Sequence, residues 1–94
     1  MRHAANLATS ERLQRVLALL SDGDWHSTRD IQNQAFVCAV GECASELRAP
    51  INNIPVECKF IDGNYHYRLA NLEYARRIYR AIKDGADELE NTKQ

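Results

Sequence analysis

Net positive charge is the first thing this sequence lacks. Its 12 Lys/Arg are outweighed by 13 Asp/Glu, for a formal net charge of −1. No global field therefore draws in nucleic acid. The deficit is even along the chain: residues 1–70 carry seven basic against eight acidic groups, and residues 71–94 five against five. Any surface for a polyanion must be a local patch. Cysteine is sparse as well: Cys38, Cys43 and Cys58 are odd in number and include no C-x-x-C pair, which excludes a disulfide framework. A zinc site would need a fourth ligand such as His66, and the step from Cys38 to Cys43 puts those two on different faces of a helix. Small buried hydrophobes are the better account of all three thiols, and no metal is expected. Long apolar runs are missing too. None approaches the roughly 18 residues that span a bilayer, and the opening "MRHAANLATSERL" has no apolar h-region. The expectation is a protein of a reducing cytoplasm, with free thiols and no membrane contact.

The residues for catalysis are equally hard to find. No glycine-rich phosphate loop and no converging pair of carboxylates is recognisable. Cys43 lies between Glu42 and Glu46, which would raise its pKa instead of activating it. With 94 residues, a pocket large enough for a substrate is not expected. No enzyme activity, catalytic residue or cofactor is predicted. Repeats and low-complexity segments are absent, and 45% hydrophobic with 27% charged residues describes one ordinary folded domain.

What is present is a clear succession of periods. Residues 1–8 carry no pattern and are expected to fray. Thr9 or Ser10 can cap a helix in which Leu13, Val16, Leu17 and Leu20 recur at helical spacing, stopped at Asp22-Gly23. Trp25 and His26 suffice for a short strand or extended link. Ser27, with Asp30 three residues on, resembles a capping box, Thr28 being the competing cap. A second helix then covers Arg29–Gln34 and buries Ile31. "AFVCAV" turns into a third, from about Ala39 to Arg48, with Val40, Ala44 and Leu47 inward and Pro50 beyond its end. From Ile54 the period becomes two: Val56, Cys58 and Phe60 alternate with Glu57, Lys59 and Ile61. After "DGN", Tyr65, Tyr67 and Leu69 alternate with His66 and Arg68, which reads as a β-hairpin on an Asp-Gly turn. The tail is helical again from a plausible cap at Asn71, with Gly85 as a weak point where it ends or frays. The predicted class is α+β: a winged helix-turn-helix of three helices and a two-stranded hairpin over residues 9–70, with an added C-terminal helix over 71–94.

The stretches "LQRVLALLSDGDWHSTRDIQ", "VCAVGECASELR" and "IPVECKFIDGNYHYRL" resemble small helix-turn-helix proteins encoded by bacterial phages and prophages. The resemblance covers residues 11–69 and leaves the tail outside. It implies a DNA-binding or regulatory protein of the bacterial host cytoplasm.

In a helix-turn-helix domain the third helix enters the major groove, so its outward residues Gly41, Glu42, Ser45 and Arg48, with Glu46 beside them, are the candidate readers. Their acids oppose the counterion release that drives such binding. Arg29 and Gln32, with Asn33, can reach phosphates from the second helix, although Arg29 can equally pair with Asp30 or Asp24. On the hairpin, Lys59, Asn64 and Arg68 are backbone candidates, diluted by Glu57 and Asp62; His66 is read as a surface residue. Trp25, Tyr65 and Tyr67 are expected in the core. Leu72, Ala75, Tyr79, Ile82, Ala86 and Leu89 form a heptad-like seam, which either docks on the first helix or pairs with its mate in a homodimer; the breadth added by Ile78 and Ala81 favours the dimer. Arg76, Arg77, Arg80 and Lys83 beside it read as a solvated face. The function predicted is double-stranded DNA binding in a phage or prophage regulator. The alternative is the same scaffold as a protein–protein module, with Glu42 and Glu46 facing a basic partner.

Overall fold

Ser10 begins the first helix, α1 (Glu11–Leu20), by accepting the Leu13 N–H at 3.3 Å. Leu13, Val16, Leu17 and Leu20 then fall on one face and are buried. The computed structural model describes residues 5–92, and the side chains of residues 5–85. At the end of α1, Gly23 adopts φ +84°, and a Cβ there would stand 2.6 Å from the Leu72 Cδ1. The backbone angle favours glycine, and an added Cβ would have to displace the Leu72 side chain.

His26–Ser27 form a short strand, β1. Ser27, not Thr28, caps the second helix, α2 (Thr28–Ala35), accepting from the Asp30 N–H at 3.1 Å. Phe36 ends it in the left-handed conformation, φ 55°. Arg15 reaches across from α1 to hold the released carbonyls of Ala35 (2.8 Å) and Phe36 (3.4 Å). The third helix, α3 (Val40–Arg48), buries Cys43 besides Val40, Ala44 and Leu47.

The hairpin strands are β2 (Val56–Ile61) and β3 (Asn64–Leu69), closed by Asp62-Gly63 with both φ values positive, as a tight primed turn requires. The sheet has three strands, not two: β1 adds to the far side of β3, in the order β1-β3-β2, all antiparallel. His26 stands opposite Tyr67, and Val56 opposite Leu69.

The fourth helix, α4 (Leu72–Thr92), is capped by Asn71, which accepts from Tyr74 N–H at 3.1 Å. It runs through Gly85 without ending there. Ala75 is fully buried, and Leu72, Tyr79 and Ile82 pack on the chain's own core beside Ile78. Arg76 grips the Ser21 carbonyl at the end of α1 (2.7 and 3.0 Å). Four of the six seam positions thus pack on the chain's own core, three of them only partly buried; the side chains of Ala86 and Leu89 lie outside the described residues. The architecture is α+β, four helices against a three-stranded antiparallel sheet.

The fraying expected of residues 1–8 does not extend to residues 5–8; residues 1–4 lie outside the described residues. Leu7 is buried, and Asn52 straps this segment to the end of α3. Its Oδ1 accepts from Leu7 N–H (2.7 Å), while its Nδ2 donates to the carbonyls of Ala5 and Glu46 (2.8 Å each). No helix among the described residues is long and apolar enough to cross a membrane.

Candidate nucleic-acid interface

The open side of α3 is small and nearly neutral. Gly41, Ser45 and Arg48, at steps of four and three, share one exposed face. No side chain caps the first turn at Ala39. The turn before it is held by Gln32, whose Nε2 donates to Cys38 O at 2.9 Å. That bond makes Gln32, which is exposed, part of the scaffold of the turn.

Glu46 does not face outward beside this set. Its carboxylate accepts from Arg12 (3.0 and 3.1 Å) and from the Ala5 N–H (2.7 Å), and its side chain is only 13% exposed. Glu42, half-buried, is likewise engaged within the chain. Arg12 also donates to Cys43 Sγ at 3.0 Å. Partial burial works against the Arg12 charge, yet its bonds to Cys43 and Glu46 hold the guanidinium pKa above its ordinary value. Burial is the main force pushing the Cys43 thiol up; Arg12 opposes it, and Glu46 and Glu42 add to it. The upward direction is the expected one, but the two acids are not its leading cause. A fully buried, raised thiol suits packing.

The thiols divide differently from expectation. Cys38 and Cys58 are exposed, because one sits in the turn before α3 and the other on the part of β2 that runs past the core. Among the described residues, no three His, Cys, Asp or Glu side chains converge on a metal-sized site.

On the hairpin, alternation puts Glu57, Lys59, His66 and Arg68 on the sheet face away from the core. Trp25 lies there with them, which corrects its expected core position. Lys59 Nζ stands 4.0 Å from the indole centroid and the Arg68 guanidinium carbon 4.4 Å. Arg68 also bonds the Glu57 carboxylate (3.1 and 3.2 Å). The indole is a platform that holds two cations at the surface. The register that sets His26 opposite Tyr67, continued back by one residue, brings Trp25 opposite Arg68 and so onto the outer face.

The face toward the core changes along its length. Val56, Tyr67 and Leu69 are buried, whereas Phe60 and Tyr65, further out, are 62% and 54% exposed. The helices end before the hairpin does, and these two rings pack against each other, 4.9 Å apart at 55°. Tyr65 therefore also departs from the core, and Phe36 in the turn is more exposed still, at 77%.

Of the remaining predicted residues, Arg29 is exposed and makes no hydrogen bond or ion pair with Asp30 or Asp24 among the described residues. Arg48 donates to Val56 O at 3.2 Å from the end of α3. A Cβ on Gly41 would meet the Tyr67 hydroxyl at 3.6 Å, so α3 lies against β3 at its start and β2 at its end. Asn64 stays at the turn, its amide 3.4 Å from Asp62 O. Arg12, Asn52 and the platform role of Trp25 went unseen in the sequence. Only the spacing of the Arg12–Cys43–Glu46 trio across 34 residues would have revealed the first, and no local pattern encodes that.

The chain matches no family model, no curated protein and no solved structure.

Proposed function

We propose that this chain is a winged helix-turn-helix domain that binds double-stranded DNA, with α3 in the major groove and the β2–β3 hairpin as the wing. The observation that carries the reading is the withdrawal of Glu46 into the pair with Arg12. It leaves Gly41, Ser45 and Arg48 as the exposed residues of α3. Gly41 and Ser45 let the helix approach base edges closely, and Arg48 supplies a donor to a base or phosphate. Lys59 and Arg68, steadied on Trp25, face outward for the phosphates, with Arg29 beside the first turn of α2. A phage or prophage regulator acting in the host cytoplasm is the role we assign, in line with the resemblance of residues 11–69.

Salt tests it. If Arg29, Arg48, Lys59 and Arg68 each neutralise one phosphate, log affinity falls with log salt at a slope of about −3.6, or about 150-fold between roughly 50 and 200 mM. Fluorescence anisotropy on a random duplex measures this. The variant Arg48→Ala with Arg68→Ala should flatten the slope by about two. Unchanged affinity in that variant would remove the assignment.

A second reading draws on the exposed rings. Phe36, Phe60 and Tyr65 suit a protein partner better than a phosphate. This module no longer depends on Glu42 and Glu46, which are occupied within the chain. No duplex binding at low salt would favour it.

A further inference from the structure

β2 is the outermost strand on its side of the sheet, so one of its backbone edges faces no strand. The register decides which groups lie on that edge. Asp62-Gly63 is a two-residue loop, so Ile61 and Asn64 exchange hydrogen bonds, and such pairs alternate down the ladder. Lys59, Glu57 and Pro55 then aim their backbone groups at β3, and Val56, Cys58 and Phe60 aim theirs away. Two contacts agree. Ala70 N–H donates to Pro55 O at 3.1 Å, and Arg48 takes the Val56 carbonyl from the opposite side at 3.2 Å. Beyond Arg48, Cys58 and Phe60 are exposed.

We propose that this edge pairs antiparallel with the same edge of a second copy of the chain, centred on Cys58 facing Cys58. Charge selects the register. Centred there, Glu57 of each copy stands opposite Lys59 of the other, on one face of the joined sheet. Centring on Glu57 or on Lys59 would oppose like charges, and centring on Phe60 would set Lys59 against Ile61. Unlike pairs directly opposite stabilise antiparallel strands and like pairs destabilise them. On the other face, Phe60 of each copy falls opposite the other's Val56, whose side chain is already buried, and Arg48 releases the Val56 carbonyl for that end of the ladder to close. An edge lysine ordinarily blocks such pairing. Here Lys59 lies over Trp25, clear of the backbone edge and on the face where the other copy's Glu57 arrives. This interface is distinct from the α4 seam and draws on none of its residues.

Sedimentation velocity on the full chain without DNA tests the pairing, and dimer is expected at high protein concentration. Glu57→Lys and Lys59→Glu each oppose like charges, and each alone should weaken self-association roughly tenfold. Mixed together, the two variants restore unlike pairs, and the mixture should dimerise. A wild-type chain that stays monomeric, or a mixture no more associated than either variant, overturns the proposal. Cross-linking gives a measurement that alters no charge. In Cys38→Ser, Cys58 is the remaining exposed thiol, since Cys43 is buried. A hydrogen-bonded antiparallel pair has Cα atoms about 5.5 Å apart, within disulfide reach. Diamide, which takes up the two hydrogens released as two thiols join, should give a covalent dimer. A yield no greater than that of Cys38→Ser with Cys58→Ser overturns the register. Neither measurement involves duplex, so failure here leaves the DNA reading intact.

Discussion

Replacing Asn52 by Ala should cost more stability than any other polar truncation in the described core. Asn52 is buried, and its amide orientation is dictated by its partners: the Leu7 N–H can only donate, and the Ala5 and Glu46 carbonyls can only accept. The variant loses these three bonds and leaves the buried Leu7 N–H without its partner, while Glu46 C=O keeps only the Ala49 N–H at 3.2 Å. At roughly 0.5–1.5 kcal/mol per bond, with the orphaned N–H raising the total, the loss is about 3 kcal/mol. For a domain of this size that lowers Tm by about 12–24 °C. Thermal and urea unfolding followed by circular dichroism reads it directly. Asn52→Asp sharpens the test, because it keeps the acceptor for Leu7 but sets a carboxylate oxygen against two carbonyls. Its folded-state pKa must then lie above the unfolded value of about 3.9. The added penalty is absent below that value, grows as pH rises, and is complete above the folded pKa. A loss under about 1 kcal/mol in Asn52→Ala, or no pH dependence in Asn52→Asp, would refute the strap and return residues 5–8 to a fraying end.

Gly23→Ala should cost about 1–2 kcal/mol, since alanine resists φ +84° and its Cβ displaces the Leu72 side chain; a denaturant midpoint unchanged from wild type would contradict this. Phe36→Gly should stabilise by about 0.5–1 kcal/mol, because glycine enters the left-handed cap freely and the ring lost is exposed; a lower Tm would mean the ring packs in solution. Partial burial opposes the charge of Asp22, yet the Asp24 N–H, His26 (2.8 Å) and Arg76 hold its pKa below the usual carboxylate range. Its contribution is therefore present above the unfolded pKa of about 3.9 and lost as pH falls through the folded value. Asp22→Asn should be less stable than wild type at neutral pH, and the two should converge in acid; parallel curves down to acid pH would exclude the pair as a source of stability.

Much of the frame was legible because it is local. A helix needs only a cap and an apolar stripe, so Ser10 with Leu13, Val16, Leu17 and Leu20 announced α1 before any contact was known. Two alternating runs around Asp62-Gly63 likewise fix a hairpin within a few residues. The same reasoning placed Gly41, Ser45 and Arg48 on one exposed side of α3, since a period of 3.6 is a property of the segment alone.

What the tertiary structure decided is which side chains meet across distance. Period two shows that Tyr65 and Tyr67 share a face, but only the reach of the helices makes one exposed and the other buried. Trp25 looked like core because large aromatics usually are; the third strand carries it to the outer face, where two cations rest on it. Glu46 lies on a helix whose outward side is polar, yet its charge is cancelled by an arginine 34 residues away. Local periodicity constrains the backbone through nearest neighbours. The charge that a surface finally presents depends on partners brought together by folding.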